Sequence, residues 1–169
     1  MAVGVRHAQP GEGVRLSQIF LASGRAAWAG HLPPAGLAVI TSHPEEWEGL
    51  ISDPETICLV AEHRGEAAAL ALLRPSTDPD TDPRTVALLD RMYAEPRVWR
   101  RGLGKGLLAA SMEELRGRGF REVVLWTAHW NRSRGFYEAR GWALDGATRE
   151  KTFAGATFTE VRYRTEIPI

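Results

Sequence analysis

The chain is poor in residues that carry several common kinds of chemistry. It has one cysteine, Cys58, in 169 residues. A single cysteine makes neither an internal disulfide framework nor a cysteine-based metal cluster. Cys58 lies within Thr56-Ile57-Cys58-Leu59-Val60, where a thiol reads as a small buried hydrophobe. Lysine occurs only at Lys105 and Lys151, and arginine supplies the rest of the positive charge. Basic and acidic side chains number 21 each, for a formal net charge of zero. That balance argues against a protein that coats nucleic acid. No run approaches the ~18 consecutive apolar residues of a membrane span. No apolar stretch near the N-terminus precedes a small-residue cleavage site, so no signal peptide is read and a cytoplasmic location is expected. The hydrophobic content of 44% and charged content of 25% are those of an ordinary globule. The length suits a single domain over 1–169.

What the chain does have is glycine in one telling place. Arg100-Arg101-Gly102-Leu103-Gly104-Lys105-Gly106 precedes an apolar helical pattern. Glycine lets the backbone turn sharply and lets a ligand come close. The first turn of a helix has free N–H groups and the positive end of the dipole. Together they suit an anion, usually a phosphate. A tight turn that binds nothing is the plainer alternative. Two familiar phosphate loops are excluded. A Walker A loop needs Ser or Thr after Gly-Lys, and Gly106 stands there. The dinucleotide fingerprint G-x-G-x-x-G needs glycine where Leu107 stands.

The periodicities give the elements around this loop. Val3 to His7 reads as a strand, and a helical pattern runs from Val14 to Ala27. Pro33-Pro34 stops any continuation. A short helix starts at Pro44, with Glu45 and Glu46 at its positive end. Thr56–His63 and Ala67–Leu73 make a hairpin around Arg64-Gly65-Glu66. Residues 75–83 hold three prolines and three aspartates, which predicts an exposed loop with its acids solvated. A second possibility is that those acids attract a cationic acceptor. Thr85–Ala94 is a strand and Leu103–Arg118 a helix, with Leu108, Met112 and Leu115 on one face. Val123-Val124-Leu125-Trp126 suits a strand covered on both faces. Strand, loop, helix and strand form a βαβ unit. Arg132–Arg140 is a short helix for which Asn131 is a natural cap. Two strands, around Thr148–Phe153 and Phe158–Arg164, close the chain.

Two stretches in this order resemble the GNAT acyl-CoA N-acyltransferases. Arg101-x-x-Gly104-x-Gly106 with its strand and helix is similar to the acetyl-CoA motif of that family. Asn131 followed by Phe136-Tyr137-Glu138-Ala139-Arg140-Gly141-Trp142 is similar to its second motif. Tyr137 follows Asn131 by six residues, one fewer than is common in the family. The resemblance covers nearly the whole chain. It implies an α+β fold with a mixed central sheet of about six or seven strands, splayed at the cofactor site and flanked by about four helices.

The resemblance also implies an activity: transfer of an acetyl group from acetyl-CoA to a primary amine of a small molecule, amino acid or peptide. No metal or cofactor beyond acetyl-CoA is implied. Family members bond the pantetheine along the strand before the loop, here Met92, Tyr93 and Ala94. They bond the diphosphate with loop amides, here Arg100, Arg101, Gly102, Leu103, Gly104, Lys105 and Gly106, with Asn131 either a further contact or a plain cap. Tyr137 matches the tyrosine that faces the CoA sulfur and is the expected general acid. The expected base is Asp90, two residues along a strand from Leu88 and so on its face, chosen over Glu95 and His129. An Asp90 held by an arginine is the alternative. Trp28, His31, Trp126, His129 and Trp130 are expected around the acceptor, and Trp28 in the core is the plainer reading. A neutral surface favours a small amine over a nucleic-acid-bound target, and a homodimer is compatible with the family. Two other functions stay open: a non-catalytic acyl-CoA-binding module, and a nucleotide-binding protein using the same loop.

Overall fold

The structure is a computed structural model and describes residues 3–169. Seven strands form one sheet: β1 (Val5–His7), β2 (Ile57–His63), β3 (Glu66–Pro75), β4 (Val86–Ala94), β5 (Glu122–Ala128), β6 (Ala143–Phe153) and β7 (Ala156–Glu166). Five α-helices join them: α1 (Gly13–Trp28), α2 (Pro34–Ala38), α3 (Pro44–Ser52), α4 (Leu103–Gly117) and α5 (Arg134–Glu138). The spatial order is β1-β2-β3-β4-β5-β7-β6. Only β4 and β5 run parallel, across the helix α4 that connects them.

Alternation along the central strands gives each face its own apolar layer. Leu59, Ala71 and Leu89 meet Leu103, Leu107 and Leu115 of α4, with Tyr137 and Trp142 beside them. Cys58, Val60, Leu70 and Leu72 meet Leu16 and Ile19 of α1 and Trp47 of α3. Leu107 and Leu115 are fully buried, and each such leucine contributes roughly 1.5–3 kcal/mol from burial. The helix α4 thus presents the apolar face that its spacing announces, with Met112 at its partly buried margin.

Three local departures from the sequence reading have clear causes. Pro33-Pro34 ends α1 but also starts α2, since Pro34 takes the first helical position, where its missing N–H and fixed φ cost nothing. The strand β6 begins at Ala143, earlier than expected, because a break in register between Leu144 and Thr148 lets it resume pairing with β7. The aspartates of 75–83 are not simply solvated. Arg162, 4% exposed on β7, donates to Asp78 at 2.9 Å, Asp80 at 2.8 Å and Asp145 at 2.7 Å. Trp126 Nε1 donates to Asp78 as well, at 3.0 Å. The loop is therefore fastened to the sheet by its own acids.

The sheet opens at one place. The parallel pair β4/β5 shares only Val86–Glu122, Ala87–Val123 and Leu88–Val124. Beyond Leu88 each strand keeps its outer partner, β3 through Ala94 and β7 through Ala128, while the two diverge from each other. The register of β4 on β3 jumps at this point, so Asp90 is the extra residue of a β-bulge. A wedge-shaped gap results, with unpaired β4 backbone from Leu89 to Ala94 along one side.

Candidate active site

The helix α4 aims its N-terminus at this gap. Arg100 (φ +62°) and Gly102 (φ +84°) make the turn that starts it. Gly102 supplies the left-handed conformation without a Cβ penalty, whereas Arg100 holds it against its preference. The amides of Leu103, Gly104 and Lys105 donate to no protein acceptor among the described residues, as first-turn amides do. They carry the positive end of a 15-residue helix. The structure thus divides the expected loop. Arg100, Arg101 and Gly102 form the turn, and Leu103 to Gly106 are already helical. A Cβ on Gly104 would lie 3.5 Å from Phe136 and 3.6 Å from Met92. One on Gly106 would lie 3.0 Å from the Cβ of Val3, so that glycine is needed for close packing inside the molecule.

Tyr137 stands at the same end of the gap. Its ring packs edge-on against Phe136 and Trp142, at 5.2 Å and 5.5 Å between centroids. Its hydroxyl lies 3.6 Å from the sulfur of Met92 on β4. Burial pushes its pKa up, with a smaller push from Tyr93, so the hydroxyl keeps its proton at neutral pH. Met92 and Ala94 pack on the α4 side of the sheet, and Tyr93 packs on the other. The carbonyl of Ala94 accepts a hydrogen bond from the half-exposed Trp99 indole at 2.7 Å.

On that other face the gap leads into a cavity of about 540 Å³. Phe20 and Trp28 of α1 and Trp47 of α3 form one wall. Tyr93 and Trp126 form the floor, and Phe153 and Phe158 of the β6–β7 hairpin close the far side. Burial raises the Tyr93 pKa to about 12. Three ion pairs sit in this lining: Arg74–Asp90 at 3.1 Å, Arg91–Glu46 at 2.8 Å and Arg149–Glu160 at 2.8 Å. The bulge interrupts the alternation of β4, yet Leu88 and Asp90 both line the cavity.

The other sequence-derived residues fall into place around this cavity. Trp28 and Trp126 line it directly. His31 stacks on Trp130 at 3.7 Å, and Trp130 meets Trp28 edge-on at 5.0 Å, which makes both a supporting layer. His129 is exposed, with Nδ1 3.1 Å from the carbonyl of Thr159. Glu95 is held between Arg15 and Arg97, each at 2.8 Å. Asn131 accepts from the Ser133 amide at 2.9 Å and donates to Thr127 at 3.0 Å. It caps its own turn ahead of α5, an Asx turn. No three His, Cys, Asp or Glu side chains gather as metal ligands would among the described residues. Phe20, Trp47, Arg149, Lys151, Phe153 and Phe158 escaped the sequence reading. The two-residue spacing of Arg149, Lys151 and Phe153 was the available signal, since it puts all three on one face of a strand.

A sequence profile of the acetyltransferase (GNAT) family matches residues 25–142. No curated protein sequence matches significantly. Solved structures share the fold at low identity. The PaiA N-acetyltransferase of Thermoplasma acidophilum, in complex with coenzyme A, superposes with a TM-score of 0.81 at 16% identity over 98% of this chain and 99% of that one. The ribosomal-protein-S18-alanine N-acetyltransferase of Escherichia coli gives 0.74 at 15%, over 99% and 95%. YncA of Salmonella typhimurium, solved with acetyl-CoA, gives 0.74 at 17%, also over 99% and 95%. The profile spans more than half of the 169 residues and runs through the gap, the α4 turn and Tyr137. The chain belongs to the GNAT family of acetyltransferases.

Proposed function

We propose that the protein is an acetyl-CoA-dependent N-acetyltransferase that acts on a primary amine by direct transfer. The observation that carries this reading is the gap between β4 and β5. It joins the free amides of α4 and the Tyr137 hydroxyl on one side to a partly open, aromatic-lined cavity on the other. The residues present fit a CoA thioester. Unpaired helix amides suit a diphosphate, an unpaired strand edge suits the amides of pantetheine, and Gly104 leaves room beside Met92 and Phe136. The PaiA and YncA structures, with coenzyme A and acetyl-CoA, support the same choice.

Each group then has a defined task. The free amides of Leu103 to Lys105 hold the diphosphate, and Arg100 to Gly102 shape the turn that presents them. A backbone N–H of the β4 edge at Met92 to Ala94 polarises the thioester carbonyl, since donors aimed at developing charge are worth most in a dry site. The amine, with a pKa near ~10.4 for a lysine-like group, must lose a proton before it attacks. Asp90 takes that proton through water, while Arg74 holds its carboxylate in place. Tyr137 gives its proton to the departing thiolate, a contribution of roughly 10²–10⁴ in rate. Asn131 positions the turn before α5.

The test is thiol release from acetyl-CoA with a broad panel of amines, alongside a thermal-shift titration with acetyl-CoA and ATP. Amine-dependent thiol release is expected, with acetyl-CoA, not ATP, raising the melting temperature. Acetyl-CoA binding without turnover on any amine would favour a non-catalytic acyl-CoA-binding module. Preference for ATP would favour a nucleotide-binding protein.

A further inference from the structure

Resting on that reading, we infer that the acceptor is a compact amine with a carboxylate and a bulky, flat apolar body, of the class of aromatic amino acids, and that Lys151 binds its carboxylate. The lining charges lead there. Each acid in the cavity already has an arginine: Glu46 has Arg91, Asp90 has Arg74 and Glu160 has Arg149. A polycationic acceptor such as a polyamine would meet no free carboxylate. Of the three lining tryptophans, Trp28 packs against Trp130, Phe153 and Phe158, and the other two already carry a cation. Arg91 lies over Trp47 at 4.9 Å, and Arg149 lies over Trp126 at 4.2 Å. The aspartates of the neighbouring loop are likewise committed, Asp78 and Asp80 to Arg162 and Asp82 to Arg84.

The remaining lining charge is Lys151. It lies on β6 between Arg149 and Phe153 on the same face, directly opposite Phe158 on β7. It makes no ion pair among the described residues and is exposed to solvent. An ammonium at the edge of an aromatic enclosure offers three donors to an anion. Phe20, Tyr93, Trp28, Phe153 and Phe158 leave apolar surface for a flat ring. The volume of about 540 Å³ falls within the ~300–1,000 Å³ usual for small-molecule sites.

Turnover by the full chain with acetyl-CoA decides the matter when L-phenylalanine and L-tryptophan are set against phenethylamine, tryptamine and spermidine. Calorimetric binding of the two amino acids to the CoA-loaded protein is measured in parallel. A charge-assisted contact predicts that L-phenylalanine exceeds phenethylamine in kcat/KM by about ten- to a hundredfold. Lys151→Gln should bring that ratio close to one, and Lys151→Arg should restore part of it. Lys151 is exposed, so neither change threatens folding. Preference for spermidine, equal use of acid and decarboxylated amine, or a Lys151→Gln ratio unchanged from wild type would overturn the inference. So would a lack of saturable binding by the aromatic amino acids, whatever the turnover. In each case thiol release with other amines would leave the proposed function standing, whereas loss of acetyl-CoA binding would remove that function itself.

Discussion

Replacing Tyr137 by phenylalanine removes one oxygen atom and separates chemistry from stability. The hydroxyl has a single protein partner among the described residues, the Met92 sulfur at 3.6 Å, and sulfur is a weak acceptor. The ring, 8% exposed between Phe136 and Trp142, is kept. The change in folding stability should therefore stay within about 1 kcal/mol. If the hydroxyl protonates the thiolate, kcat should fall by roughly 10²–10⁴, or about 3–5 kcal/mol of activation free energy. The assay is steady-state thiol release with a saturating amine, together with thermal denaturation and a titration of acetyl-CoA affinity. Affinity should change by less than about threefold, because the proton is given late. A folded variant with kcat within threefold of wild type would refute the assignment. A matching loss in affinity and kcat/KM would instead make the hydroxyl a binding group.

Other expectations come from single contacts. Gly104→Val should raise the KM for acetyl-CoA by about tenfold or more, since its branches would crowd Met92 and Phe136, and such overpacking costs roughly 1–3 kcal/mol. Gly104→Ala, whose Cβ meets both at ordinary distance, should change it little. Arg162→Met takes the cation from Asp78 and Asp80 and leaves Asp145 with Arg164 alone. Calorimetry should show a loss of about 3 kcal/mol, or roughly 6–12 °C in Tm. Tyr93 is raised by burial from 10.0 to about 12, so the folded state holds this proton more tightly than the unfolded chain. The stability it contributes is complete below pH 10 and is lost as pH rises from 10 towards 12. Urea titrations at pH 8, 10 and 11.5 should show the decline, and a constant midpoint across them would contradict it.

The parts of the molecule that were legible in the sequence are those set by local pattern. Leu108, Met112 and Leu115 repeat at helical spacing and face the core, and Arg64-Gly65 marks a hairpin that the structure builds with both residues at positive φ. Tyr137 and the α4 turn are found from motif spacing because each motif occupies consecutive residues. What escaped depends on distance along the chain. Arg162 meets Asp78 and Asp80 across more than eighty positions, with separations of 84 and 82, and no local rule pairs them. The bulge at Asp90 is invisible because it is a mismatch between β3 and β4, not a property of either. The cavity on the Tyr93 face draws on α1, α3, β4, β5 and the β6–β7 hairpin, so its aromatic lining takes shape only once the sheet is assembled. Gly106 shows the reverse error. A glycine in a phosphate-loop pattern turns out to serve contact with Val3, inside the helix.

The divergence of β4 from β5 also bears on the order of events. Met92 and Ala94 look towards one face of the sheet while Tyr93 looks towards the other, so the proposed donor and acceptor would have separate doorways and neither would wait for the other to depart. The sole thiol, Cys58, is sealed under α1 and α3 with its pKa raised to about 12 by burial, and it offers no place to park an acyl group between two half-reactions. Under the proposed direct transfer both substrates meet in one ternary complex, and double-reciprocal plots at several fixed amine concentrations should converge instead of running parallel.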